Sequence, residues 1–237
     1  MAGMQYFGHC GEGEAHSLDS IRNAIACGVD WVYVEVRAEN GAAVLCSGNN
    51  EAYPSVNKEI NQKSLESANP FGGKSPVPLS DVIGRIDGRT GLAIEMQGSW
   101  LASQVVREIH QAIFSGKWSH KHFLVCSRNF IELQMIQSYD PHIRVGCIPE
   151  GVLHVNVEFA EKIGAFSLHP SRRQLTMELL DDCHQRGIKV VVPDVNAVED
   201  YYLLEAMGVD GVVSRYPEKI MTWRYINNMP DSLLMKS

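Results

Sequence analysis

The 237-residue sequence predicts one α/β domain, spanning residues 1–237 and folded as a (β/α)8 TIM barrel. Three observations carry that prediction. Strand-like and helix-like runs alternate from end to end, which is the pattern of parallel βαβ units. The alternation counts eight units when one hairpin is treated as a decoration of the second. The length suits a single closed barrel of roughly 250 residues better than two small domains.

Taken in order, "MQYFGH" is a short apolar strand, and "SLDSIRNAIACG" follows as a helix with Leu18, Ile21, Ala24 and Ile25 on one stripe. Ser17 suits the N-cap of that helix and Gly28 its C-cap. "WVYVEV" is the second strand, and Asn40-Gly41 is a hairpin signal leading into "AAVLCS". In that strand Val32, Val34 and Val36 alternate with Trp31, Tyr33 and Glu35, so one face is aliphatic and the other holds a phenol beside a carboxylate. A polar insertion over about residues 47–77 comes next, read as an excursion over one end of the barrel. "LSDVIGRI" is helical after Pro78, "GLAIEM" is a strand, and "SWLASQVVREIHQAIF" is a long amphipathic helix. The second half repeats the rhythm through "HFLVCS", "NFIELQMIQSY", "IRVGCI", "VEFAEKI", "GAFSLH", "TMELLDDCHQRG", "KVVVPD", "AVEDYYLLEAMG", "GVVS" and "PEKIMTWRYI". His184, in mid-helix, is expected to pack.

Composition narrows the function classes. The formal charge is -7 with no run of Lys or Arg, which argues against nucleic acid or an anionic membrane as partner. No stretch of about eighteen apolar residues would span a bilayer, so no integral membrane segment is expected. The first residues lack a secretory pattern, and the six cysteines form no CxxC pair. Reduced thiols in a cytoplasmic protein are the expectation.

In such barrels the active site lies at the C-terminal ends of the strands. Polar residues read off those ends are His9, Glu35, Ser47, Glu95, Arg128, His169, Asp194 and Arg215. Carboxylates there can hold a hard divalent cation, histidine can move protons, and arginine can grip phosphate oxygens. Glu35 and Glu95 serve equally well as ion-pair partners for Arg128 or Arg215 across the mouth.

The stretches "FGHCG", "SLDSIRNAIACGVDWVYVEVRAENGAAVL", "VPLSDVI", "LAIEM", "SRNFIELQMIQSYDPHIRVG", "CHQRGIKVVVPDVN" and "GVDGVVSRYPE" resemble, in order and spacing, the glycerophosphodiester phosphodiesterase family. The likeness runs from about Phe7 to about Ile220. It implies a barrel that cleaves glycerophosphodiesters to an alcohol and glycerol phosphate, a step of lipid metabolism, with a divalent metal (Mg²⁺ or Ca²⁺) and two histidines. By that resemblance His9 is a catalytic histidine and Glu35 and Glu95 are metal ligands. Arg128, His169, Asp194 and Arg215, read from the strand ends, are expected to line the substrate pocket, Arg215 standing where relatives usually carry an aspartate.

The inheritance is partial. The family's His-Arg-Gly is His9-Cys10-Gly11, so a phosphate-gripping arginine is Cys10. Its Pro-Glu-Asn-Thr falls on Glu14 to Ser17, and its metal-binding Glu-x-Asp on Tyr33-Val34-Glu35. The lysine after the later glutamate is Gln97, and the second histidine falls at Ser47. A phenol near neutral pH brings no charge to a cation site, so metal binding is expected to be weak or absent. Loss of one general acid or base costs about 10²- to 10⁴-fold in rate. Two functions therefore stand: an impaired or altered phosphodiesterase, or a non-catalytic binder of a phosphorylated or anionic small molecule.

Overall fold

The computed structural model describes residues 3–10, 18–46, 76–219 and 221–222. Its strands are β1 (Gln5–His9), β2 (Trp31–Glu39), β3 (Ala42–Leu45), β4 (Gly91–Gln97), β5 (Phe123–Ser127), β6 (Arg144–Cys147), β7 (Ser167–Leu168), β8 (Lys189–Val192) and β9 (Gly211–Ser214). The helices are α1 (Leu18–Cys27), α2 (Leu79–Ile86), α3 (Ala102–Phe114), α4 (Phe130–Tyr139), α5 (Leu153–Lys162), α6 (Met177–Gln185) and α7 (Val198–Met207). Eight parallel strands close into a barrel, because β1 pairs with both β9 and β2. The ninth, β3, is antiparallel to β2 through the expected hairpin, with Asn40 and Gly41 both at positive φ as a tight primed turn requires. The (β/α)8 expectation holds, with the hairpin as an addition to the second strand.

The period-two pattern of β2 sorts its side chains as the sequence suggests. Val32, Val34 and Val36 face outward and join the layer that includes Ile21, Val82, Val105 and Ile109 of the surrounding helices. Trp31 and Tyr33 face inward with Phe7, Ala93, Leu124, Cys126, Ile148, Val191 and Val213. Phe7 and Trp31 stack at 5.6 Å between centroids and fill the lower barrel. That plug needs a glycine opposite: a Cβ on Gly91 would come within 2.3 Å of the Trp31 ring.

Two expectations require correction. The helix after β6 begins at Leu153, upstream of "VEFAEKI", because the Asn156 amide donates to the Glu150 and Val152 carbonyls and organises the start of that helix. His184 does not pack in the core. It is partly exposed and contacts Asp210 at 2.8 Å, where the carboxylate also accepts from the Val190 amide. Residues 217–219 and 221–222 of "PEKIMTWRYI" are helical as expected, while the rest of that stretch and most of the 47–77 insertion lie outside the described residues.

One buried carboxylate ties two helices together at the mouth end. The first turn of α3 has no side-chain cap of its own. Glu132, on α4 and almost fully buried, accepts from the amides of Trp100, Leu101 and Ala102 at 2.6, 3.0 and 2.8 Å. Negative charge at a helix N-terminus is favourable, and three donors would otherwise be stranded. Replacing Glu132 with Ala should therefore lower stability by about 2–3 kcal/mol, read as a shift in the urea midpoint without a change in slope.

Candidate active site

The register of the barrel assembles the site. His9 lies beside Tyr33, Tyr33 beside Ala93, and Glu35 beside Glu95 on neighbouring strands. Alternate residues point inward, so His9, Tyr33, Glu35, Glu95 and Gln97 converge at the open end. His9 Nε2 approaches Glu35 Oε1 at 3.3 Å, and Tyr33 donates its hydroxyl to Glu95 Oε2 at 2.5 Å. The Gln97 amide nitrogen donates to Glu35 Oε2 at 3.1 Å and to Glu95 Oε1 at 2.9 Å. It must be the nitrogen that lies between two carboxylates, because an amide oxygen there would be repelled.

All four carboxylate oxygens thus accept from protein groups. The electrostatics follow. Burial pushes the Glu95 carboxyl above the usual range, and the neighbouring Glu35 charge adds to the push. Burial alone would raise Glu35 as well, but the hydrogen bond and charge of His9 outweigh it and hold Glu35 below its ordinary value. Burial, then the Glu95 charge, keeps the Tyr33 phenol well above 10 and so neutral.

This donor set does not fit a divalent cation. A cation needs lone pairs, but a fixed N–H donor occupies the space between the two carboxylates. The third position offers a phenol engaged as donor. Among the described residues no group of three or more His, Cys, Asp or Glu is arranged to hold a metal ion.

The other candidates divide between rim and interior. Arg128 stands at the rim, half-exposed, with Nε 3.7 Å from Glu95 and a terminal nitrogen 3.9 Å from Glu150. Both separations exceed a hydrogen bond, so its fork is held by charge rather than by fixed contacts. Arg215 and Asp194 form an ion pair at 3.0 Å between the β8 and β9 loops. Asn196 buttresses that pair by accepting from Ser214 Oγ and the Arg215 amide. Asp194 and His169 are not brought together.

His169, expected to line the substrate pocket, lies inside the barrel and is 2% exposed. Its Nε2 is 2.8 Å from Ser167 Oγ and 3.7 Å from Cys126 Sγ, while its Nδ1 has no partner among the described residues. A Cβ on Gly146 would come within 3.0 Å of all three atoms, so that glycine makes room for the cluster. Cys10, at the family's arginine position, donates its thiol weakly to the Gly8 carbonyl at 3.6 Å, and burial pushes that thiol up to about 12. Ser47 lies outside the described residues. Gln97 was visible in the sequence as a lost lysine, but its bridging role depends on strand register. Glu132 gave no sequence signal beyond an acidic residue in a first helical turn.

Burial lowers His169 from 6.5 to about 3, so the folded protein refuses a proton that the unfolded chain accepts. A depressed folded-state value means the contribution is complete above pH 6.5 and is lost as pH falls toward 3. Stability should drop by about 2 kcal/mol between pH 7 and pH 5 from this residue alone. Urea unfolding of His169→Asn at both pH values should show a correspondingly smaller drop.

Residues 93–219, more than half of the chain, match the profile of the Glycerophosphoryl diester phosphodiesterase family. A glycerophosphodiester phosphodiesterase of Caldanaerobacter subterraneus subsp. tengcongensis is 28% identical over 98 residues, 41% of this chain and 40% of that protein. The match therefore spans well under two thirds of that relative. A solved structure from Galdieria sulphuraria superposes with a TM-score of 0.75 at 17% identity, covering 95% of this chain and 98% of that one. An Oleispira antarctica phosphodiesterase, solved with the product sn-glycerol-3-phosphate, gives 0.71 at 20% identity and covers 92% and 95%. The barrel, the inward polar cluster at its open end and the profile match agree: this chain belongs to the glycerophosphoryl diester phosphodiesterase family.

Proposed function

We propose that this barrel binds a small molecule bearing a glycerol phosphate, the ligand class of its family, and has lost efficient metal-assisted hydrolysis. The observation that carries the reading is the Gln97 amide between Glu35 and Glu95. It bridges the carboxylate pair with an uncharged hydrogen-bond donor, where the family resemblance calls for a cation. Tyr33 supports the reading by donating to Glu95 and staying uncharged. Arg128 supplies a half-exposed guanidinium at the rim that suits a phosphate oxygen pair. In the Oleispira antarctica relative the bound product is sn-glycerol-3-phosphate, and that compound is the natural probe here.

A slow hydrolase is the second reading, favoured by one contact. His9 beside Glu35 keeps an acid/base group oriented by a carboxylate, an arrangement that moves protons in many hydrolytic sites.

Titration calorimetry separates the two. Binding of sn-glycerol-3-phosphate without added metal is expected, weakened about tenfold or more in Arg128→Ala. Tyr33→Asp, which returns a carboxylate, should raise Ca²⁺ affinity at least about tenfold over the unaltered protein. Release of glycerol phosphate from glycerophosphocholine at about 1 per second or faster, dependent on Mg²⁺ or Ca²⁺, would overturn the proposal. Slow metal-independent release abolished in His9→Ala would establish the second reading.

A further inference from the structure

The mouth carries an apolar rim that the site chemistry does not use. Trp100 in the loop after β4, Ile131 at the start of α4, and Val152 and Val155 around the start of α5 are all strongly exposed. Helix starts lie at the mouth end of this barrel, so these side chains share the end that holds His9 and Arg128. Three consecutive loops are also tied into one edge. Asn129 donates to Ser99 Oγ at 3.1 Å, Glu132 accepts from the Trp100 amide, and Arg128 lies 3.9 Å from Glu150.

Trp100 is the clearest member. It is 79% exposed and sits at φ +68°, a conformation that bulky side chains rarely adopt. Its backbone is held there by the buried Glu132 carboxylate. An aromatic fixed outward in an unfavourable conformation points to a use for that side chain.

We infer that this rim docks on a zwitterionic phospholipid surface, so that the mouth meets a phosphate headgroup carried by a lipid. The inference rests on the ligand class proposed above. A lipid surface brings a phosphate-bearing ligand to the mouth itself. Charge selects the kind of surface. Residues 98–101, 128–132 and 149–155 contain no lysine, and Arg128 and Glu150 offset each other. Such an edge has no excess of positive charge for an anionic bilayer, and tryptophan with aliphatic neighbours is suited to an interface.

Flotation of the full chain with phosphatidylcholine vesicles tests this. The unaltered protein should float with the vesicles, with a blue shift of tryptophan emission that Trp100→Phe loses while still binding. Trp100→Ser and the double change Ile131→Ser with Val152→Ser should each lower the partition coefficient about tenfold or more. Phe114, equally prominent but at the opposite end of α3, is the control, and Phe114→Ser should bind as before. No flotation at millimolar lipid, equal loss in Phe114→Ser, or binding only to phosphatidylglycerol vesicles that salt abolishes would overturn the inference. So would a dimer that Trp100→Ser converts to a monomer. Vesicle binding in a protein that ignores soluble sn-glycerol-3-phosphate would instead sink the ligand assignment and leave the rim standing.

Discussion

Two carboxylates set side by side on adjacent parallel strands cannot both stay charged and unpartnered in a half-buried site. Glu35 and Glu95 are forced into that position by the β2–β4 register, and the mouth is organised around relieving it. Gln97 takes one oxygen from each, Tyr33 a third and His9 the fourth. The relief is unequal. The carboxyl against His9 is held below its ordinary range, while its neighbour is pushed above, so the pair shares less than two full charges near its own titration range. A cation would relieve the same repulsion by a different route; in this structure the Gln97 amide does so.

The fold was legible because its signals are local and repeated. The alternation of Val32, Val34 and Val36 with Trp31, Tyr33 and Glu35, and the Asn40-Gly41 turn, depend on neighbours in the chain. The mouth was legible as a set of strand ends, which is why His9, Glu35, Glu95 and Arg128 meet there. What could not be read was the pairing within the set. Whether Arg215 faced Glu35, Glu95 or Asp194 depends on strand stagger and loop path, and the structure gives it Asp194. His169 sits one layer deeper than its strand-end position suggested, because β7 is only two residues long and Gly146 leaves it space. Glu132 was invisible for the same reason: the helix it caps is not its own.

Burial explains the remaining division of labour. Cys126, Ser167 and His169 form a polar knot within the barrel wall, each nearly inaccessible. Burial keeps the Cys126 thiol neutral and the imidazole unprotonated, so the knot contributes shape and hydrogen bonding rather than reactivity. The reactive potential of the molecule is thereby concentrated in the shallower ring, where His9 retains partial access to solvent.

The position of β1 has a consequence for how the chain reaches this form. That strand lies between β2 and β9, with Gln5 aligned to Gly211 about two hundred positions away. The circle therefore cannot be completed until the ninth strand has emerged and docked. Until then the outer edges of β1 and β8 present open rows of amides and carbonyls, a template for pairing with other chains. A nascent barrel of this design would be most vulnerable to misassembly in that interval, and its late closing contact makes slow, all-or-none maturation the expected behaviour.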